Sequence, residues 1–178
     1  MGKFRIIIGD ITSDEILENH DLIINPTNPQ MVAGAGVSGA IFKKAGVNLL
    51  EQYTQKIFDI NYFSDNYNKN NIMNVGEVRI TPGFNLGMDI MFVQGPNKWD
   101  YDDPNELLYK TYKNTLDEIK NNNYKNVLFC SLGTGDYGFE HYEIGKQVYK
   151  ILNDFVMNND INIDLVLYDE KYKIYYCE

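Results

Sequence analysis

The sequence predicts an α/β sandwich, one central sheet with helices on both faces. Three observations carry that expectation. Short apolar runs of strand length alternate along the chain with longer stretches whose apolar residues recur at helical spacing. Two six-residue stretches, Gly34-Ala35-Gly36-Val37-Ser38-Gly39 and Gly133-Thr134-Gly135-Asp136-Tyr137-Gly138, read G-x-G-x-x-G, and each lies between a strand-like run and a helical one. The length of 178 residues suits a single domain, 1–178, with a core that needs neither metal nor disulfide.

The elements follow in order. Phe4 to Ile8 is an apolar run rich in isoleucine and stopped by Gly9-Asp10, so it reads as a strand. Thr12 and Glu15 stand at capping-box spacing and predict a short helix after it. Leu22 to Asn25 is a second strand, Val37 to Ala45 and Leu49 to Phe58 read as helix, and Asn61 to Asn74 is a polar loop rich in Asn and Tyr. Gly76 to Thr81 alternates as a half-buried strand, and Ile90 to Val93 is a buried one. From Glu106 to Lys120, Leu107, Leu108, Tyr112, Leu116 and Ile119 recur at helical spacing. Val127 to Cys130 reads as strand, Tyr142 to Met157 as helix, Ile163 to Tyr168 as strand, and Tyr172 to Tyr176 as a last edge strand.

Glycine loops at strand ends point to an anion held by backbone. Without Cβ, glycine takes positive φ and turns successive N–H groups into one concavity, and a following helix start adds unpaired N–H groups and the positive end of its dipole. Neither loop satisfies the dinucleotide-binding pattern. The first is separated from its strand by Asn25-Pro26-Thr27-Asn28-Pro29-Gln30 and is followed by helix and a polar stretch, and too little chain follows Gly138 to complete a dinucleotide domain. One anion gripped from two sides fits both loops better.

A formal net charge of −9 argues against nucleic acid, whose phosphates are neutralised by Lys and Arg. Backbone N–H groups supply local positive potential without cationic side chains, so the charge leaves a phosphate ligand open. No segment has the length and apolarity of a membrane span and the first residues do not form a signal peptide, so a cytoplasmic protein is expected; a monomer is the separate default expectation. Cys130 and Cys177 read as structural thiols, no metal-ligand spacing exists, and no cofactor is expected. His20 and His141 read as lone residues with surface or capping roles.

Six segments stand in one order: Gly9-Asp10-Ile11-Thr12, Ile24-Asn25-Pro26-Thr27-Asn28, Ala33 to Ile41, Gly76 to Leu86, Gly95-Pro96, and Gly133 to Gly138. Together they resemble the macro domain family over nearly the whole chain. The resemblance implies a three-layer α/β/α sandwich with a mixed central sheet. It also implies binding of ADP-ribose or a derivative, and hydrolysis of mono-ADP-ribosyl groups on proteins or deacetylation of O-acetyl-ADP-ribose. A non-catalytic reader of ADP-ribose and an ADP-ribose 1″-phosphate phosphatase share the same implied pocket; an NAD-dependent oxidoreductase disagrees with the topology.

Residue by residue, the resemblance places Asp10 as acceptor for the adenine amino group and Ile11 N–H on a ring nitrogen, although Asp10 also reads as a turn residue. Tyr168 stands where some members stack an aromatic on adenine, and it also reads as packing. Asn25 and Asn28 offer carboxamides to a ribose diol, Asn28 matching the catalytic asparagine. Gly34, Gly36, Val37 and Ser38 on one side and Gly133, Thr134, Gly135 and Asp136 on the other embrace the diphosphate, and Tyr137 covers the distal ribose at the reacting end. In many hydrolytic members the residue ten positions after the asparagine is an aspartate that helps activate water. Here it is Ser38, which reads as a helix N-cap. Some viral-type members lack that aspartate and hydrolyse by positioning the substrate so that its own phosphate orients the water. Ala35 interrupts the usual glycine run.

Overall fold

The computed structural model describes residues 1–178. Its strands are β1 (Phe4–Ile8), β2 (Leu22–Pro26), β3 (Val78–Thr81), β4 (Asp89–Val93), β5 (Asn126–Cys130) and β6 (Asn162–Leu167), and its helices α1 (Asp14–Leu17), α2 (Gly36–Ala45), α3 (Val47–Ile57), α4 (Pro104–Asn121) and α5 (His141–Asn158). The strands form one sheet in the order β1-β6-β5-β2-β4-β3. Every pairing is parallel except that of β3 with β4, so the sheet is mixed.

Burial follows from that order. Inner strands are covered on both faces and carry nearly unbroken apolar runs, such as Ile90 to Val93 and Ile163 to Leu167 with Asp164 between them. Edge strands β1 and β3 are only partly covered. In register, Phe92 lies beside Asn25, so it points to the face opposite Phe129. Phe42 of α2 meets Phe92 edge-on at 5.8 Å, and Tyr112 of α4 stacks on Phe129 at 6.1 Å. Tyr149 of α5 meets Phe4 on the α4 side, which gives the three layers.

Two local expectations fail. Tyr172 to Tyr176 is not an edge strand: Glu170–Tyr175 is a 3₁₀ segment lying against α5, so close that a Cβ on Gly145 would sit 2.6 Å from the Tyr175 carbonyl oxygen. The segment carries one buried aromatic, Tyr176, one half-buried, Tyr172, and one exposed, Tyr175, which its sequence pattern presented as a strand. The capping box of Thr12 and Glu15 also does not form. Ser13 precedes α1 without a side-chain cap, and the Thr12 hydroxyl donates to Asp10 Oδ1 at 2.7 Å instead.

Candidate functional site

A cavity of about 790 Å³ opens at the carboxyl ends of the parallel strands. Its walls are the turn after β1, the segment after β2 with the start of α2, the loop after β5, and the end of β6. Of the residues expected there, Asp10, Ile11, Asn28, Gly34, Gly36, Val37, Ser38, Gly133, Thr134, Gly135, Asp136, Tyr137 and Tyr168 all line it. Asn25 does not. It lies within the paired part of β2 beside Phe92, 0% exposed, so its carboxamide is turned into the layer between sheet and α2 and cannot reach a ribose in the cavity.

The two glycine loops present donors. The N–H groups of Gly34 through Ser38 and of Gly133 through Tyr137 donate to no acceptor in the protein, and neither does the N–H of Ile11. Helix α2 starts without a side-chain cap, because Ala35 has no acceptor to offer, and its first-turn N–H groups stay free. By contrast α4 is capped by Asp103, which accepts the Glu106 N–H at 3.2 Å. Gly36 has φ +61° and a Cβ there would meet nothing within 4 Å, so the first loop turns sharply with open space before it. The second loop is tied down behind by Phe139 N–H to Gly133 O at 3.0 Å and Lys98 N–H to Tyr137 O at 2.9 Å.

At one end of the cavity Asp10 Oδ1 accepts the Thr12 N–H at 2.8 Å and the Thr12 hydroxyl, which hold the carboxyl below its ordinary range. The turn role and an acceptor role coexist, because Oδ2 remains free. Tyr168 is 68% exposed, its hydroxyl donating to Tyr172 at 2.8 Å.

At the other end Asn28 is pinned by one residue. Its Nδ2 donates to Val32 O at 2.9 Å and its Oδ1 accepts Val32 N–H at 3.1 Å, leaving one amide hydrogen free. Tyr137 is fixed by its hydroxyl, which accepts from Gln94 Nε2 at 3.0 Å and donates to Thr27 O at 3.4 Å. Ser38 is not an N-cap. It is the third residue of α2, buried, and its Oγ has no partner. Burial pushes the Cys130 thiol on the cavity wall up to about 12, which keeps it protonated.

Both histidines depart from the surface or capping roles expected of them. His141 lines the cavity at 5% exposure and meets Tyr176. His20 sits at the amino ends of the strands, where a separate cleft of about 510 Å³ contains Arg5, His20 and the 2% exposed Asp164. Asp164 accepts two hydrogen bonds from Arg5, at 2.8 and 2.6 Å, and one from His20 Nε2 at 2.8 Å. Burial alone would lower the His20 pKa, but the Asp164 carboxylate outweighs it and leaves it raised; burial alone would raise Asp164, but His20 and Arg5 leave it lowered. These partners are distant in sequence, so nothing local to either histidine announces them.

The family model described as Macro domain matches residues 24–147. The chain is 30% identical over 175 residues to an O-acetyl-ADP-ribose deacetylase of Escherichia fergusonii, covering 96% of this chain and 90% of the relative. It is 32% identical over 142 residues to a macro domain-containing protein of Lactiplantibacillus plantarum, covering 78% and 72%. Among solved structures, the Oceanobacillus iheyensis macrodomain with ADP matches with a TM-score of 0.80 and 32% identity over 96% of this chain and 86% of that one. A mutant of that macrodomain with ADPR matches with 0.79 and 31%, over 96% and 88%.

Proposed function

The chain belongs to the macro domain family, and from that premise we propose that it binds ADP-ribose and hydrolyses its esters, O-acetyl-ADP-ribose and mono-ADP-ribosylated carboxylate side chains. The observation that carries the reading is the pair of facing N–H runs, Gly34 to Ser38 and Gly133 to Tyr137, unpaired in a protein of net charge −9. A diphosphate is an acceptor-only group of the size such a cradle serves, and fixed backbone dipoles bind it without cationic side chains.

Each neighbouring residue then has a task. Asp10 Oδ2 accepts the adenine amino group, Ile11 N–H donates to the ring, and Tyr168 stacks. Asn28 gives its free amide hydrogen to the distal ribose, held in place by Val32, and Tyr137 covers that ribose and limits access of water. Hydrolysis consumes one water per ester and releases ADP-ribose and the carboxylic acid. No carboxylate stands at Ser38, Cys130 is protonated, and Asp136 on the second loop would bring its negative charge beside the diphosphate, so it serves better facing solvent than as a base. The water is oriented by the bound substrate's own diphosphate, with Asn28 fixing the ribose.

Titration calorimetry with ADP-ribose, followed by acetate release from O-acetyl-ADP-ribose and ADP-ribose release from a glutamate-linked peptide, tests the reading. Binding with product release supports it; no binding overturns it. Ser38 in place of an acid favours one second reading, a binding module without chemistry, and stable binding of the ester with neither product released would establish that instead.

A further inference from the structure

Ser131 lies on the cavity wall between the end of β5 and the second glycine loop, and its hydroxyl meets the Tyr176 hydroxyl at 2.6 Å. Tyr176 in turn meets His141 Nδ1 at 2.7 Å. His141 is stacked on Tyr172 with 3.8 Å between ring centroids, and its Nε2 is sealed with no hydrogen-bond partner.

The sealed nitrogen sets the direction of the whole chain of bonds. A buried N–H without acceptor is rarer and costlier than a bare ring lone pair, so the proton resides on Nδ1. Nδ1–H therefore donates to the Tyr176 oxygen. Tyr176 has a single proton, and it goes to Ser131 Oγ. The Ser131 proton is then left to be given elsewhere. The neighbouring Tyr112 hydroxyl, fully buried and hydrogen-bonded to Ser131, accepts the Leu132 N–H at 2.7 Å and has its own proton to place; given to Ser131 Oγ, that proton fills the second Ser131 lone pair and leaves the cavity as the outlet for the Ser131 proton. Burial, with nearby Lys171, lowers the His141 pKa and keeps the ring in this neutral form.

We propose that Ser131 is a ligand-contacting residue, fixed by Tyr176 and His141 as an obligate donor to the phosphate that carries adenosine. Its place between the adenine-side residues Val166 to Tyr168 and the loop Gly133 to Tyr137 puts it beside that phosphate. A donor whose direction is preset spends no free energy on reorientation when the anion arrives, and it disfavours a ligand with a donor at the same point. Tyr176 and His141 are positioning residues that act through Ser131. The assignment rests on the ADP-ribose reading.

Calorimetric titration of wild type, Ser131→Ala, Tyr176→Phe and the double variant with ADP-ribose, AMP and adenosine tests it, together with ¹⁵N NMR of His141 in the ligand-free protein. Ser131→Ala should weaken ADP-ribose and AMP about five- to tenfold and leave adenosine unchanged. Tyr176→Phe keeps the ring and should weaken the same two ligands about threefold, with the double variant no weaker than Ser131→Ala. The NMR should show the proton on Nδ1. Adenosine losing as much as AMP, additive effects, or a proton on Nε2 would overturn the proposal. A wild type that binds no ADP-ribose removes the functional reading and this contact with it, whereas tight binding indifferent to Ser131→Ala removes the contact alone. If Tyr176→Phe does not fold, the Ser131→Ala titrations and the NMR decide.

Discussion

The two ends of the central sheet are built on opposite principles, and β6 runs through both. At its amino end both oxygens of Asp164 are engaged, with two bonds from Arg5 and one from His20, while the adjoining Asp21 accepts the Lys125 and Asn126 N–H groups at 2.8 and 3.0 Å. At its carboxyl end the chain passes Tyr168 into a cavity edged by N–H groups without acceptors, with unpaired atoms on Ser38 and His141 in its walls. Polarity at the amino end is consumed within the fold, so removing it costs stability. Polarity at the carboxyl end is held open at some cost in stability, so removing it costs binding.

The strongest way to break that contrast is Gly36→Glu. The side chain would enter open space in front of the first loop and bring a negative charge to the diphosphate, so ADP-ribose affinity should fall at least about a hundredfold. The φ of +61° adds strain of about 1–2 kcal/mol, small beside the stability of about 5–15 kcal/mol usual for a domain, so the variant should stay folded. An unchanged dissociation constant with an unchanged circular dichroism spectrum would show that the loop does not meet the ligand.

Asp164→Asn probes the other end and should do the reverse, lowering unfolding free energy by about 2 kcal/mol, below the range for fully buried pairs because Arg5 is largely exposed, and leaving ADP-ribose affinity intact. The effect should depend on pH. His20 has a raised folded pKa, so its share is complete below the ordinary histidine value of about 6.5 and disappears as pH rises through the folded value. Asp164 has a lowered one, so its share is complete above the ordinary carboxylate value of about 3.9 and disappears as pH falls through the folded value. Urea unfolding should therefore show a larger difference between wild type and variant at pH 5.5 than at pH 8.5. Equal differences would mean that His20 is not the partner that matters.

What the sequence made legible divides along the same line. Strand runs and helical spacing located every strand of the sheet and all the long helices, and the glycine loops marked the carboxyl-end cavity, because those signals are local. The amino-end cluster was invisible: His20 and Asp164 are joined across 144 positions, and each looks like an ordinary polar residue in its own neighbourhood. Asn25 was misplaced for the converse reason. The motif named it beside Asn28, but the strand register turned it the other way. Local patterns specify elements and loops; the face a side chain takes and the partner it meets are decided by the sheet.

Asp10→Ala sharpens the comparison within the cavity, because Asp10 has one oxygen committed to the fold and one free. ADP-ribose affinity should fall about fivefold, the share of one lost acceptor, with a smaller loss of stability from the released Thr12 contacts. Equal ADP-ribose affinity in a folded variant would remove adenine from this end of the cavity.

The smallest effect belongs to Ser38, and it separates positioning from chemistry. As an N-cap it would contribute about 1 kcal/mol of stability, but it lies inside α2 with its hydroxyl buried and unpaired. Replacing an unsatisfied buried hydroxyl with a methyl hydrogen removes a penalty and breaks no bond, so Ser38→Ala should shift unfolding free energy by no more than about 0.5 kcal/mol, in the stabilising direction. If the substrate's own diphosphate orients the water, ester hydrolysis in this variant should stay within about twofold of wild type, while Asn28→Ala, which loses the residue that fixes the ribose, should lose most of it. Rates of ADP-ribose release from an ester-linked peptide compare the two directly. A Ser38→Ala variant that folds and binds but is as slow as Asn28→Ala would make the hydroxyl part of the chemistry, and the open polarity of the cavity would then extend from backbone donors to a reacting side chain.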